Sequence, residues 1–382
     1  MANSVVRMAS VAETVRTAHE DDGRGTAWLL ARGSLTCAAA VLVLSVVKYG
    51  IALYPSWRYM QEFAQHWQHP LRAPVFSHVH ARFLGSPVSA EIAGIVHLTS
   101  AREYLALHLV LACAAIVVPF CLRAVRQSAE LRLGVALLLA GGTVPALLLS
   151  WVGSYDPVSI GSAAVAALAS NPVVRALAWM VFAFNNAPEA AIGLVIFAIV
   201  LWADGGKATV PRIGLSGAGA VVGYVAIRVL TAAWGGGQSQ LAMMKFYGFT
   251  RYLLSYEYLP LVVLSALGVG WLFLVDRRVR QFAAARALLV LALLSAIGMP
   301  LLALDTTRTI ATTLWPAMLL TAGIVVDRLN AELARAVLAR IAPVALIVVI
   351  VVVWNTHLVY PGWRSGADVM LYLVGHHALP VP

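Results

Sequence analysis

At 382 residues, with 61% hydrophobic and only 12% charged side chains and a mean hydropathy of +0.83, the chain excludes an ordinary soluble domain, where about a quarter of residues carry charge. The formal charge of +10 does not indicate a nucleic-acid partner, because no basic cluster is interleaved with stacking aromatics. Basic residues gather instead on the cytosolic loops of membrane proteins.

Residues 1–33 are polar and of mixed charge, and read as a cytosolic tail too poor in apolar side chains to fold. The first apolar run starts near Ser34. It is too long and too far in for a signal-peptide core, so it is expected to remain as a signal anchor. Runs of ~20 apolar residues are what a helix needs to cross the hydrocarbon core. They recur at 34–54, 103–122, 133–151, 157–170, 173–186, 188–203, 213–233, 259–275, 284–304, 308–326 and 341–358. The expected fold is therefore an all-α polytopic membrane protein of about 11 transmembrane helices, its single transmembrane domain running from 34 to 360. Placing the N-terminus in the cytosol puts Arg123, Arg126, Arg132, Arg175, Lys207, Arg212 and Arg277–Arg280 on that side as well, as the charge rule requires.

Two of the runs are short and meet at Asn171-Pro172, where proline breaks a helix and its predecessor leaves helical geometry. They form either two short tilted spans or a re-entrant hairpin. One kinked span would carry Arg277–Arg280 outside, against the charge rule. In both surviving arrangements Asp156, Glu189, Asp305 and Arg308 fall on the external side.

Two longer external segments, 55–102 and 234–258, and an external tail, 361–382, complete the topology. In the first segment, Trp57, Met60, Phe63 and Trp67 recur at helical spacing among polar residues, predicting an amphipathic helix in the membrane interface. A second is expected from Val88 to Leu98. The later segment carries Lys245, Phe246, Tyr247, Arg251 and Tyr252, a mixture that suits either lipid headgroups or an anchoring aromatic belt. His66 with His69, and His78 with His80, have spacings that a transition metal accepts. No Cys or Asp joins them, so structural histidines are the simpler reading. No cofactor is demanded, and a divalent metal stays open.

Three polar sites interrupt the apolar pattern. Asp156 follows Gly153-Ser154-Tyr155 and precedes Pro157. It either caps a helix or serves as a general base at the water–lipid boundary. Glu189 stands alone behind Asn185-Asn186-Ala187-Pro188. An acid there is stabilised by a helix N-terminus, or faces a cavity, partner or pathway. Arg308 opens a span where the helix dipole disfavours a cation, and calls for compensation by Asp305 at i−3 or by an anionic ligand. Soluble-type signatures such as GxSxG, a Walker loop or HExxH are absent from the sequence.

A cytosolic N-terminus, external acids on short loops and an interfacial helix in a long first external loop resemble the GT-C glycosyltransferases. These polytopic enzymes take sugar from a polyprenyl-phosphate donor. The family usually carries its base as an Asp in the first external loop, whereas residues 55–102 contain only Glu62 and Glu91 as acids. The resemblance therefore implies a cell-envelope glycosyltransferase of the bacterial plasma membrane with Asp156 as base and Glu189 as its understudy. Arg308, oriented by Asp305 and aided by Lys245 or Arg251, would hold the donor phosphate. Tyr155 and Asn186 complete the implied substrate-binding set. The implied partners are membrane lipid, the lipid-linked donor and a glycan or glycolipid acceptor. Two other readings stand beside it: a transporter or flippase for a lipid-linked or anionic substrate, and a non-catalytic subunit of an envelope-synthesis complex.

Overall fold

Inside a bilayer every backbone amide and carbonyl must be satisfied within the chain, which restricts spanning segments of this composition to helices. The computed structural model describes residues 32–54, 56–72, 84–235, 259–301 and 306–351, and within them the regular elements are helical, apart from one isolated bridge between Leu53 and Val152. In chain order they are α1 (Arg32–Tyr49), α2 (Trp57–Gln65), α3 (Val88–Ile95), α4 (Ala101–Cys121), α5 (Arg123–Gln127) and α6 (Ala129–Ala140). Next come α7 (Val144–Ser150), α8 (Asp156–Leu168), α9 (Pro172–Asn185), α10 (Ala187–Gly205) and α11 (Val210–Ala233). The set closes with α12 (Leu259–Leu267), α13 (Gly270–Val275), α14 (Arg277–Arg280), α15 (Ala283–Gly298), α16 (Thr306–Arg328) and α17 (Ala331–Val351).

Among the described residues, five stretches are long and apolar enough to cross a membrane, or six if the bent pair α6–α7 counts as one. The chain is thus a multi-pass helical membrane protein. Fewer than the eleven expected spans qualify among the described residues, and the breaks in the apolar runs have local causes. The run 133–151 is bent by 52° between α6 and α7, at Gly141-Gly142-Thr143, where a Cβ on Gly141 would collide with the Val269 side chain. The run 259–275 is split at Gly268, which takes a φ of 54° that an L side chain resists. The longest stretch, Ala187–Ala233, contains both α10 and α11. The chain reverses between them at Gly206, whose φ is 55°, through a 3-10 turn (Gly206–Thr209).

The centre of the bundle is α16, whose most apolar window is 83% buried within the protein. Hydroxyls that would be costly in this setting are turned back on the helix itself. Thr312 donates to the Arg308 carbonyl at 2.7 Å, Thr313 to Thr309 at 2.8 Å and Thr321 to Ala317 at 2.8 Å. Alongside it runs α10, parallel, and ion pairs tie the two helices at both ends: Glu189 to Arg308 at 3.0 Å and Asp204 to Arg328 at 2.8 Å. Between these pairs, Gly193 lets the Thr313 backbone come close, since a Cβ there would stand 3.2 Å from its carbonyl oxygen.

The short helices α8 and α9 form a hairpin that begins and ends at the same end of the bundle. Asn185, closing α9, donates to the Tyr155 carbonyl just before α8 at 2.9 Å. This is the geometry common to both arrangements expected for 157–186, and it disposes of a single kinked span. Asn171 starts α9 by accepting from the amides of Val173 and Val174 at 2.8 and 3.3 Å. Outside the hairpin, α11 packs parallel to α9 through Gly219 and Gly223. Membrane helices associate by such close small-residue contacts, because lipid removes the hydrophobic drive. The opposite face of α11, with Val221, Val222, Val225 and Val229 exposed, is left to lipid.

The amphipathic helix expected in the first external segment exists as α2, but its apolar face is not open to lipid. Trp57, Met60, Phe63 and Ala64 are buried, Phe63 meeting Trp234 edge-on at 5.4 Å. Helix α3, the second expected interfacial helix, packs with it, a Cβ on Gly94 being excluded by the Trp67 ring. The tail 1–31, most of 234–258, and the residues from 352 onward lie outside the described residues.

The α9–α11 seam gives a direct test. A Cβ on Gly219 or Gly223 would overlap the carbonyl oxygens of Ala176 and Met180, whereas one on Gly214 meets nothing within 4 Å. Gly223→Val is expected to destabilise the protein by about 1–3 kcal/mol or more through overpacking, read as a lowered Tm in detergent. Gly214→Val should leave Tm near wild type, and equal effects at the two positions would refute the seam.

Candidate functional site

Three helix beginnings converge at one end of the bundle, each carrying one of the ionisable residues singled out in the sequence. Arg308, in the first turn of α16, directs Nη1 to Asp156 Oδ1 at 2.7 Å and Nη2 to Glu189 Oε1 at 3.0 Å. Asp156 is 1% exposed, Glu189 4% and Arg308 7%, so the three charges leave water together. A guanidinium forked between two carboxylates is the strongest pairing available to these side chains. It also answers the question raised by a cation at a helix N-terminus: the compensation comes from Asp156 and Glu189. Asp305, the local partner expected at i−3, lies outside the described residues.

Aromatic faces cover the guanidinium. Its carbon stands 5.5 Å from the Trp151 ring centre and 5.3 Å from that of Tyr155, within cation–π range. Trp151 is held by the chain after α1: Ala52 donates to the Leu149 carbonyl at 2.8 Å, Val152 to Ala52 at 3.0 Å and Tyr54 to Val152 at 2.9 Å. The Tyr54 ring rests on Trp151 with centres 4.8 Å apart.

The stretch Gly153-Ser154-Tyr155-Asp156 is a turn built to aim the acid. Gly153 takes a φ of 96°, and a Cβ there would meet Trp57 at 2.7 Å, so both backbone and space require glycine. Its carbonyl accepts from the Tyr104 hydroxyl at 3.2 Å. Ser154 then donates its hydroxyl to Asp156 Oδ2 at 3.0 Å and accepts from the Asp156 amide at 3.3 Å. Both carboxylate oxygens of Asp156 are thereby engaged. The helix-cap alternative for this residue fails: Asp156 is the first residue of α8, and the cap position, Tyr155, makes no side-chain cap bond.

Asn185 and Asn186 divide the work of closing the site. Asn185 reaches the Tyr155 carbonyl and the Ser159 hydroxyl, each at 2.9 Å, and accepts from the Val88 amide at 3.3 Å. Asn186, expected in the substrate-binding set, caps α10 by accepting from the Glu189 amide at 3.4 Å. Glu189 keeps one oxygen in reserve. Oε1 meets Arg308, while Oε2 is buried with no hydrogen-bond partner among the described residues. The adjacent Thr312 hydroxyl is committed to the Arg308 carbonyl.

Of the expected site residues, Asp156, Glu189, Arg308, Tyr155 and Asn186 are brought together, while Lys245, Arg251 and Asp305 lie outside the described residues. Sequence reasoning did not single out Trp151 or Asn185; polar Asn185 closing an apolar run was the one available signal. His108 is fully buried away from the cluster, its Nδ1 donating to the Tyr104 carbonyl at 2.8 Å. Among the described residues no three His, Cys, Asp or Glu side chains gather as a metal site. His78 and His80 lie outside those residues. No family model, curated protein or solved structure matches the chain, so the meaning of the cluster is read from its geometry.

Removing the cation leaves two buried carboxylates facing each other. Arg308→Met is expected to cost about 3–5 kcal/mol, the usual penalty for breaking a buried pair from one side. The triple variant Arg308→Met, Asp156→Asn, Glu189→Gln should recover much of it. Thermal unfolding in detergent checks both. Equal losses in the single and triple variants would show that the charges are not coupled.

Proposed function

We propose that the chain is a cell-envelope glycosyltransferase, taking a sugar from a polyprenyl-phosphate donor at the outer face of the bacterial plasma membrane. The observation that carries this reading is the convergence of Asp156, Glu189 and Arg308 from three helices on one buried cluster. Ionisable residues so deep in a membrane protein are expensive, and they mark sites of chemistry or passage. The positive-inside distribution of Arg and Lys supports an outward-facing cluster.

On this reading the roles fall differently from the sequence expectation. Asp156 has both oxygens in use, whereas Glu189 Oε2 is unengaged. Glu189 is therefore the general base, and Asp156 holds Arg308 in register. The acceptor hydroxyl gives its proton to Glu189 Oε2. Its oxygen bonds to the anomeric carbon as the carbon–oxygen bond to phosphate breaks, and the electron pair leaves with the polyprenyl phosphate. Because both Nη groups of Arg308 are occupied by carboxylates, the leaving phosphate falls to Lys245 and Arg251 of the aromatic external segment, where cations stabilise the developing charge.

One observation favours a transporter instead. The break between α6 and α7 faces the break between α12 and α13. The Val269 amide donates to the Gly141 carbonyl at 3.1 Å and the Thr143 hydroxyl to the Ser265 carbonyl at 2.6 Å. A small cavity of about 20 Å³ lies beside them, lined by Thr143, Leu267, Trp315 and Met318 among others. Interrupted helices that meet in a bundle are a common construction of transport sites. The cluster outweighs the crossing here, because the exposed backbone groups at the breaks largely satisfy one another.

The test is reconstitution of the full chain in proteoliposomes with a labelled polyprenyl-phosphate sugar and a lipid-extract acceptor. Wild type should move label to a new product, and Glu189→Gln should lower the rate by roughly 10²–10⁴-fold, the range of a lost general base, while remaining folded. Wild-type turnover in Glu189→Gln would remove Glu189 from the chemistry. Label that crosses the bilayer unaltered would decide for the transporter.

A further inference from the structure

At the end of the bundle opposite the cluster, two arginines stand where cations are least expected. Arg175 is the fourth residue of α9 and Arg212 the third of α11, so each sits at the positive end of a helix dipole. The parallel packing brings these two beginnings side by side. Gly219 lies against Ala176 and Gly223 against Met180. Arg212, two turns before Gly219 on α11, is therefore level with Ala169 at the tip of the α8–α9 hairpin. Arg175 folds back to the same level, its Nη2 donating to the Ala169 carbonyl. The two guanidiniums are close enough for their charges to repel.

Ordinary compensation is incomplete. The nearest acid, Asp204, acts on Arg212 at a distance, but its carboxylate is taken by Arg328 at 2.8 Å. Asp327 and Lys207, both exposed, stand at the adjoining ends of α16 and α10. Arg175 is only 6% exposed, and the Nε atoms of both Arg175 and Arg212 are buried with no hydrogen-bond partner among the described residues. Helix α11 also begins without a side-chain cap. Two dipole ends, two guanidiniums and unmet N–H donors converge on one spot at the rim of the bundle, with no anion of the protein's own among the described residues to receive them.

We propose that Arg175 and Arg212 form a binding site for the phosphate of an anionic membrane phospholipid, seated between the beginnings of α9 and α11. A phosphate supplies several acceptor oxygens to the guanidinium forks, and its charge relieves the repulsion between them. Basic pockets between membrane helices take anionic headgroups in this manner. The lipid then braces the short hairpin against α11, far from the acidic cluster and independently of the reaction assigned to it.

The experiment uses the full chain, delipidated in detergent, with phosphatidylglycerol, phosphatidylcholine or inorganic phosphate added separately. Phosphatidylglycerol should raise Tm, and native mass spectrometry should show a retained molecule. Phosphatidylcholine and inorganic phosphate at equal concentration should do neither. Arg212→Gln, at a half-buried position tolerant of change, should weaken phosphatidylglycerol retention roughly tenfold, as expected for one lost charge-assisted contact. Arg175→Gln with Arg212→Gln should abolish it. Equal stabilisation by phosphatidylcholine, or undiminished retention by Arg212→Gln, would overturn the site. A shift reproduced by inorganic phosphate would reassign it to a soluble anion and refute the lipid.

Discussion

The guanidinium of Arg308, forked between Asp156 and Glu189, is the contact on which this end of the molecule depends. A single charge in a low-dielectric interior is intolerable, and a pair is stable only when geometry is good and the remaining lone pairs are met. That requirement accounts for the company Arg308 keeps. Ser154 takes the second oxygen of Asp156, Trp151 and Tyr155 cover the guanidinium faces, and Asn185 ties the turn before α8 to the end of α9. The 151–156 turn, the end of α9 and the start of α10 all meet at this arginine, so satisfying it fixes the relative positions of α8, α9, α10 and α16.

From there the constraint passes along the helices. With Glu189 fastened to Arg308, α10 must run parallel to α16, and the Asp204–Arg328 pair at the far end holds the same register. Gly193 between them sets the spacing. Because α10 descends beside α16, the reversal at Gly206 returns α11 beside α9, where Gly219 and Gly223 admit backbone contact. Hydrophobicity contributes little to this order, since lipid is as good a solvent for leucine as a neighbouring helix is. Ion pairs, hydrogen bonds and small residues decide it instead.

Much of this was legible in the chain. The helical membrane class followed from the apolar runs, and Asp156, Glu189 and Arg308 stood out because each interrupts an apolar pattern at a helix end. What the sequence could not show was the partner of each. Local spacing pointed Arg308 at Asp305, but its described partners lie 152 and 119 positions away, at Asp156 and Glu189. Capping rules gave Asp156 a local duty that the fold does not use, and did not reveal that Asn186 caps α10. The helix breaks at Gly141 and Gly268 were hidden for a different reason: both flanks are continuously apolar, so periodicity and hydropathy do not change there. The cause of each break is a tertiary approach, of Val269 to Gly141 and of Gly268 to the Gly141 carbonyl.

The asymmetry within the cluster carries the functional argument. One cation faces two carboxyl groups, and its contacts are not shared evenly between them. Asp156 is bound at both oxygens and sits on a turn that glycine alone permits, which makes it a rigid support. Glu189 is bound at one oxygen, on the first turn of a helix whose dipole favours the anion, and presents the other to the interior. A carboxyl group beside a guanidinium, yet with an unfilled acceptor oxygen, suits the proton-accepting role proposed for it. An arginine already satisfied on both arms is poorly matched to seizing a phosphate. On the proposed reading, the cluster accepts the proton with a counter-ion already beside it, and cations elsewhere in the chain recognise the phosphate.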